Sequence, residues 1–357
     1  MELFYELVQV ALGEREKLSR RPTDEEWLQL FEKSQKQAVA GIVFVVLDKL
    51  SQVGQKLPAL LLYNWIGLSE QIKNQNILLN NRCVEVTRIF SNAGYRSCIL
   101  KGQGNAVMYP EPLYRCSGDI DIWVEGSRED IRKFVFSICP NSKDGDIHID
   151  CPIFADVVVE VHYIPRYSNV PKYNKRLQNW FKTKSGEQFT NRIKLTNESN
   201  SFVYLPTTTF NAVHQMSHIM GHFFVEGIGL RQFVDYFYVL KRLRVEKCSE
   251  DFEKLFEYLG MLKFARGVMW IEKNVLGLGD EFLLTTPDEW IGKAIFKEIE
   301  EGGNFGHHDQ RYKVRSKGIL MRGIVDCYRL LKLAYYFPED ALWKIIRKVG
   351  DQKWKFQ

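Results

Sequence analysis

Apolar residues recur at helical spacing through about the first 95 residues, and helix-start and helix-stop signals stand where that period needs them. Thr23 sits behind Pro22 with Glu26 three residues on, so "TDEEWLQLFEKSQKQAVAGIVFVVLDKL" opens with a capping box. A second long segment, "LPALLLYNWIGLSEQIKNQNILLNNRCVEVTRIFSNAG", follows Pro58 and stops at Gly94, a residue suited to the position just past a helix end. The texture changes at Tyr95. "YRSCILKG" is a short β-type run ending in glycine, "NAVMY" has helical character and "YPEPLYRCSG" reads as a loop. Then "DIDIWVEG" alternates with period two, placing Asp119, Asp121 and Trp123 on one face and Ile120, Ile122 and Val124 on the other. Ser127 caps the next helix, "SREDIRKFVFSIC", with Asp130 at its N3 position. Two further strand-like runs follow, "DIHIDCPIF" and "DVVVEVHYIP". In the second, Val158, Glu160 and His162 share one face and Val157, Val159 and Val161 the other.

From Arg166 to Leu205 the chain reads as polar and irregular, with a possible hairpin in "NRIKLTNESNSFVYLP". Beyond Pro206 it is helical to the end, and no internal repeat or low-complexity linker interrupts it. The expected fold class is α+β: an N-terminal helical region over 1–94, a small mixed α/β core over 95–205, and a C-terminal helical region over 206–357.

Composition changes this picture little. At 357 residues, 45% hydrophobic and 13% aromatic, the chain can bury a substantial core, and its mean hydropathy of −0.26 is that of a soluble protein. Its longest apolar run, "AVAGIVFVVL", is about half a bilayer span. Seven scattered cysteines without metal-site spacing, and a start, "MELFYELVQV", without a basic leader, point to a reduced, cytoplasmic setting. Charge is uneven. Residues 307–357 hold 12 Lys/Arg against 5 Asp/Glu, which fits either a solvated basic face or a surface for a polyanion. "HHDQRYKVRSK" (His307 to Lys317) reads as the loop that opens this region.

The chemistry concentrates in "LKGQGNAVMYPEPLYRCSGDIDIWVEG". Strand residues i and i+2 point the same way, roughly 6.6 Å apart at Cα. Asp119 and Asp121 held so repel each other unless a cation lies between them. Mg²⁺ is the natural partner, Mn²⁺ an alternative, because such ions take one or two carboxylates and substrate phosphates. A third carboxylate on a neighbouring strand would complete a two-metal arrangement; Glu160 is placed for it, with Asp150 and Asp156 as rivals in the same hairpin. The turn at Lys101 and Gly102 could offer backbone N–H groups and a positive charge to a triphosphate, and Arg115 a second charge. Each motif is weak alone: D-x-D also occurs in glycosyltransferases, salt-bridged structural acids would look the same, and "KGQG" is otherwise a turn.

Taken in order, "GYRSCILKG…YPEPLYRCSGDIDIWV…VVVEVHY" resembles the polymerase-beta-like nucleotidyltransferase superfamily, and more closely the bacterial uncharacterised nucleotidyltransferase family, whose pattern runs L-K-G, Y-P, R-x-x-G-D-I-D, E-x-H. The resemblance implies transfer of an NMP group from an NTP, ATP first, to an unknown acceptor hydroxyl on a small molecule, protein or RNA. It further implies Asp119, Asp121 and Glu160 as metal-ligating catalytic positions; Lys101, Gly102, Arg115, Ser117, Gly118 and His162, by their places around those acids, are the candidate nucleotide-binding residues. Two departures stand out. Gln103 follows Gly102 where the superfamily carries Gly or Ser, leaving Ser117 to supply a hydroxyl, and the third acid is Glu rather than Asp. A toxin-like enzyme that modifies tRNA and a non-catalytic nucleotide-binding relative are the competing readings.

His214, His218 and His222 recur every four residues, close to one helix face. With no HExxH glutamate and no evident third ligand, a packed helix lining the cleft is expected over zinc, with phosphate or base contact as the other alternative. Asp235 is the expected partner of one of these histidines or of Arg231.

Overall fold

The computed structural model describes residues 2–196, 202–304 and 319–349. Helices α1 (Leu3–Leu12) and α2 (Asp24–Lys36) open the chain, and the capping box closes as the spacing requires. The Glu26 N–H donates to Thr23 Oγ1 at 3.2 Å, and the Thr23 N–H donates to the Glu26 carboxylate at 2.8 Å. The apolar run that follows does not continue the helix. Ala38 takes a left-handed φ of 54°, and the chain then forms two short helices, α3 (Ala40–Phe44) and α4 (Leu47–Gln52). After Pro58 comes α5 (Ala59–Asn92), whose 34 residues form a rod roughly 51 Å long at 1.5 Å per residue.

The core then alternates: β1 (Ser97–Leu100), α6 (Gly102–Ala106), β2 (Ile120–Val124), α7 (Arg128–Ile138), β3 (Lys143–Asp144), β4 (His148–Asp150) and β5 (Val159–His162). Ser127 caps α7, its side chain accepting from the Asp130 N–H. The strands form one mixed sheet in the order β1-β2-β5-β4-β3, in which β2 and β5 run parallel and the other neighbours antiparallel. Period-two alternation sorts the two faces. Ile99, Ile120, Ile122, Val124, Ile149, Val159 and Val161 bury one face against α5 and α7. Cys98, Leu100 and Trp123 turn the other way and join a second, larger apolar cluster.

That second cluster is built mostly from helices that follow the sheet. The stretch expected to be irregular holds α8 (Pro171–Gln188), an 18-residue helix. Its polar composition conceals a narrow apolar seam: Leu177 and Phe181, four residues apart, are buried on one face, and Pro171 starts the first turn. The expected hairpin is present as β6 (Arg192–Lys194) against β7 (Phe202–Tyr204), its tip lying outside the described residues. Then come α9 (Thr208–Val225), α10 (Leu230–Val245), α11 (Phe252–Leu259), α12 (Leu262–Asn274), α13 (Glu289–Gly302), α14 (Ile319–Ala334) and α15 (Pro338–Val349). A single cluster joins Phe4, Trp27 and Trp65 from the N-terminal helices to Phe223, Phe237, Phe264 and Phe337 from the C-terminal ones. His307 to Lys317 and the last residues of the basic end lie outside the described residues. Among those described, no helix is long and apolar enough to cross a membrane.

Phe181 fixes α8 to the body, packing on Phe210 at a ring separation of 5.2 Å. Phe181→Ala is therefore expected to cost about 3–5 kcal/mol, against about 1 kcal/mol for loss of the Thr23 cap in Thr23→Ala. Urea denaturation of the two variants checks the ranking, and an equal or inverted order would contradict it.

Candidate active site

Strand pairing makes the site. Because β2 and β5 run parallel with Asp121 opposite Glu160 and Trp123 opposite His162, side chains on one face of each strand stand side by side. Asp119 ends the preceding loop, where the Ile120 N–H donates to the Val158 carbonyl and brings that loop onto the start of β5. Carboxylate oxygens of Asp119, Asp121 and Glu160 all lie within 4.8 Å of one another, the spacing at which one ion can be shared. The rival acids lie elsewhere. Asp156 pairs with Arg82 at 2.7 Å on the outer surface, and Asp150 faces His148 Nε2 at 3.2 Å.

Two bases offset this negative charge. Lys101 Nζ lies 2.9 Å from Asp121 Oδ1, and His162 donates a ring N–H to the same oxygen at 2.9 Å. Reaching Asp121 from the end of β1 requires an unusual backbone: Lys101 has φ 48° and ψ −143°, a region that costs about 1–3 kcal/mol for a residue with a side chain. Gly102 follows at φ 39°, where a Cβ would add strain. The acids differ sharply. Burial alone would raise the Asp121 carboxyl, but Lys101 and His162 hold it well below the usual carboxylate range. Glu160 is also lowered, burial being overcome by His162 and His148. Asp119 moves the opposite way, pushed up to about 6 by the charge of Asp121, then by burial. His162 is raised, because its bonds to Asp121 and Glu160 outweigh its own burial.

The carboxylates open onto a cavity of about 420 Å³ between the sheet and helices α9 and α10. Lys101, beside Asp121, lines it together with Arg166, Arg231, Gln215 and His218. Arg166 and Gln215 went unnoticed in the sequence, where nothing distinguishes them from surface residues. Among the described residues the Arg166 guanidinium forms no ion pair with a carboxylate, and its Nε is buried without a hydrogen-bond partner. It lies along α9 at Gly221, where a Cβ would come 2.3 Å from Nη2, so only glycine leaves room for it. Arg231 donates to the Cys116 and Ser117 carbonyls at 3.0 and 3.3 Å and so holds the loop before Asp119. A larger cavity of about 780 Å³ beside α8 has a single acid, Glu125, and that is paired with Arg96. It has no cluster to act with.

Other expected residues are placed as follows. Gly102 and Gly118 line the cavity, and Ser117 stands in the loop between Arg115 and Asp119. Gln103 points away, donating to Asn80 Oδ1 of α5 at 2.6 Å. Arg115 reaches the cavity wall, but its guanidinium is gripped by Asp235 through two 2.7 Å bonds, with the Tyr109 hydroxyl donating to the same carboxylate at 2.6 Å. Asp235 is thus held mainly by Arg115 rather than by a histidine, because the loop after α6 folds onto α10, and its charge also acts on Arg231. Of the three helix histidines, His218 and His222 line the cavity. The Lys101 ammonium donates to His218 Nε2 at 2.8 Å, and His222 Nε2 lies 2.9 Å from the same atom. His214 is fully buried, its ring stacked on Phe210. Burial holds His214 down to about 3 and His222 to about 4, the latter against the opposing pull of the Glu226 carboxylate, and pushes His218 well below its usual value. Among the described residues these three form no three-donor metal set.

The family described as "Uncharacterised nucleotidyltransferase" matches residues 23–277, which includes every candidate residue above. This chain belongs to that family. As a nucleotidyltransferase it is an enzyme that transfers nucleotidyl groups, and a nucleotide is its substrate. No curated protein and no solved structure matches the chain.

Removing the partner of a buried guanidinium is expensive, so Asp235→Ala in this nucleotidyltransferase is expected to lose about 3–5 kcal/mol of stability by chemical denaturation. A loss below about 1 kcal/mol would show that Arg115 is not anchored there. Divalent-cation binding should depend on pH. Asp119 must be ionised to ligate, and its raised value keeps it protonated below about pH 6; His162, also raised, adds repulsion until it loses its proton. Both effects have one sign. The thermal shift produced by Mg²⁺ or Mn²⁺ should grow from pH 5 to pH 8, and a flat response across that window would contradict the assignment.

Proposed function

We propose that this nucleotidyltransferase moves an NMP group from an NTP, with ATP the first donor to test, onto an acceptor hydroxyl, using Asp119, Asp121 and Glu160 to hold divalent cations. The observation that carries this is the convergence of three carboxylates within 4.8 Å at the wall of a cavity that Lys101, Arg166 and Arg231 also line. Their all-oxygen donor set fits Mg²⁺, with Mn²⁺ as an alternative. When bound, such an ion polarises the α-phosphate and neutralises charge developing on the departing pyrophosphate.

The side chains of the chain do the positioning. Lys101 is paired with Asp121 at 2.9 Å and is next to the acids, where it can turn to a phosphate once a cation takes its place. Arg166 faces the same space, paired with no carboxylate among the described residues, and so is the base best placed to grip the triphosphate tail. Gly102 and Gly118 keep the wall low beside the acids, and Ser117 stands in the same loop to offer a hydroxyl. His162 orients Asp121 and Glu160. Arg115 acts at one remove: locked to Asp235, it holds the loop that delivers Asp119. The neutral His218 accepts from Lys101 and keeps its ammonium aimed at the acids. The complete carboxylate set supports turnover over a non-catalytic relative. The acceptor stays at the level of a hydroxyl, and tRNA modification draws only on the basic end.

Asp119→Asn and Asp121→Asn are each expected to reduce NMP transfer from Mg·NTP to an acceptor pool by at least about 10³-fold, as loss of a transition-state charge contact does. Arg166→Ala should mainly raise KM for the NTP, by roughly 10–100-fold, a loss of about 1.4–2.7 kcal/mol. Radiolabelled α-phosphate transfer measures both. Wild-type turnover that survives both aspartate substitutions would overturn the proposal.

A further inference from the structure

A second set of donors meets at Glu160. Within the sheet, His148 in β4 and His162 in β5 are register partners, and Glu160 lies on the same face two residues before His162. His148 Nδ1 and His162 Nε2 each lie 3.4 Å from the same atom, Glu160 Oε2, and the three donors fall within 4.8 Å of one another. All three side chains line the cavity.

Hydrogen bonding accounts for His162, whose Nε2–H donates to Asp121 at 2.9 Å, but leaves the position of His148 unexplained. An N–H···O bond is ordinarily about 2.9–3.0 Å between heavy atoms. Among the described residues His148 Nδ1 is buried without a hydrogen-bond partner, although a carboxylate is beside it. A shared metal ion does account for it. With metal–nitrogen and metal–oxygen bonds of about 2.1 Å in a tetrahedral site, neighbouring donors stand about 3.4 Å apart. The outer nitrogen of His148 faces Asp150 Oδ1 at 3.2 Å, the carboxylate–histidine relation that commonly orients a metal-bound ring. Two imidazoles and one carboxylate are borderline ligands that favour transition ions over Mg²⁺, whereas Asp119 and Asp121 offer oxygen alone.

We infer that His148, Glu160 and His162 form a transition-metal site, for Mn²⁺, Co²⁺ or Zn²⁺, that adjoins the all-oxygen position and shares Glu160 with it, the ion taking the place of the Nε2 proton that His162 otherwise donates to Asp121 and releasing that proton to solvent. The two cation positions thus differ in chemistry, one hard and one mixed nitrogen–oxygen. The inference rests on the proposed function only through Glu160, since metal binding can be read without any turnover. His148 becomes a ligand that no nucleotide-binding motif points to.

Titration of the full chain with Co²⁺, followed by visible absorption, tests this, because nitrogen-ligated Co²⁺ of low coordination number absorbs strongly there and octahedral all-oxygen Co²⁺ does so only weakly. The wild type should develop the band at one equivalent, and excess Mg²⁺ should not abolish it. His148→Ala should weaken the binding by about 100-fold or more while circular dichroism remains native, and His148→Cys, which restores a soft donor, should recover a shifted band. Asp119→Asn should keep the band. No band in the folded wild type, or one that His148→Ala leaves at full affinity, overturns the inference. If the band behaves as expected but no NMP transfer occurs with any NTP, the proposed function fails and the metal site stands.

Discussion

Mutual repulsion among three carboxylates is the constraint around which this protein is built. Acids within 4.8 Å of one another are tolerated only where opposite charge is held equally close, and the fold holds it from two directions. Lys101 arrives from the end of β1 through a strained backbone, and His162 arrives from β5 itself. The strain at Lys101 is small beside the several kcal/mol that burying an unpaired Asp121 carboxylate would cost, so the turn persists.

The remaining architecture keeps those charges in place. One face of the sheet is sealed by α5 and α7, so the strands cannot shift register without turning Ile122 and Val161 toward solvent and the acids into the core. The opposite face is only partly covered. Trp123 packs against Phe210 of α9, while two residues back Asp121 faces the cavity that α9 and α10 roof over. The Arg115–Asp235 pair ties the loop before Asp119 to α10. Histidines whose burial disfavours charge complete the roof on α9, and Lys101, Arg115, Arg166 and Arg231 are the basic side chains among the described residues that line the cavity.

Much of the site was legible because period two leaves few alternatives. Asp119 and Asp121 in an apolar strand, with Glu160 in a valine-rich one, demand a common partner, and the structure brings the three together. Arg115 was harder to read. Its charge was visible, but its fate depended on Asp235, 120 residues away, and no local pattern records that pairing. Arg166 and His148 were missed for the same reason: each matters through what faces it across the cavity, not through its neighbours in the chain. The helix α8 was hidden by its polarity, since two buried side chains suffice to dock it.

By itself the sequence determined the secondary elements with strong local signals: the capping box at Thr23, the rod from Pro58 to Gly94, and the alternating strands with their acids. These follow from hydrogen bonds and side-chain directions within a few residues, which the chain encodes directly. Tertiary structure alone decided that β2 and β5 lie parallel, that the helices at both ends of the chain share one core, and that Arg115 is locked while Arg166 faces the cavity. Those outcomes depend on burial and on charges far apart in sequence, and neither exists until the chain has closed on itself.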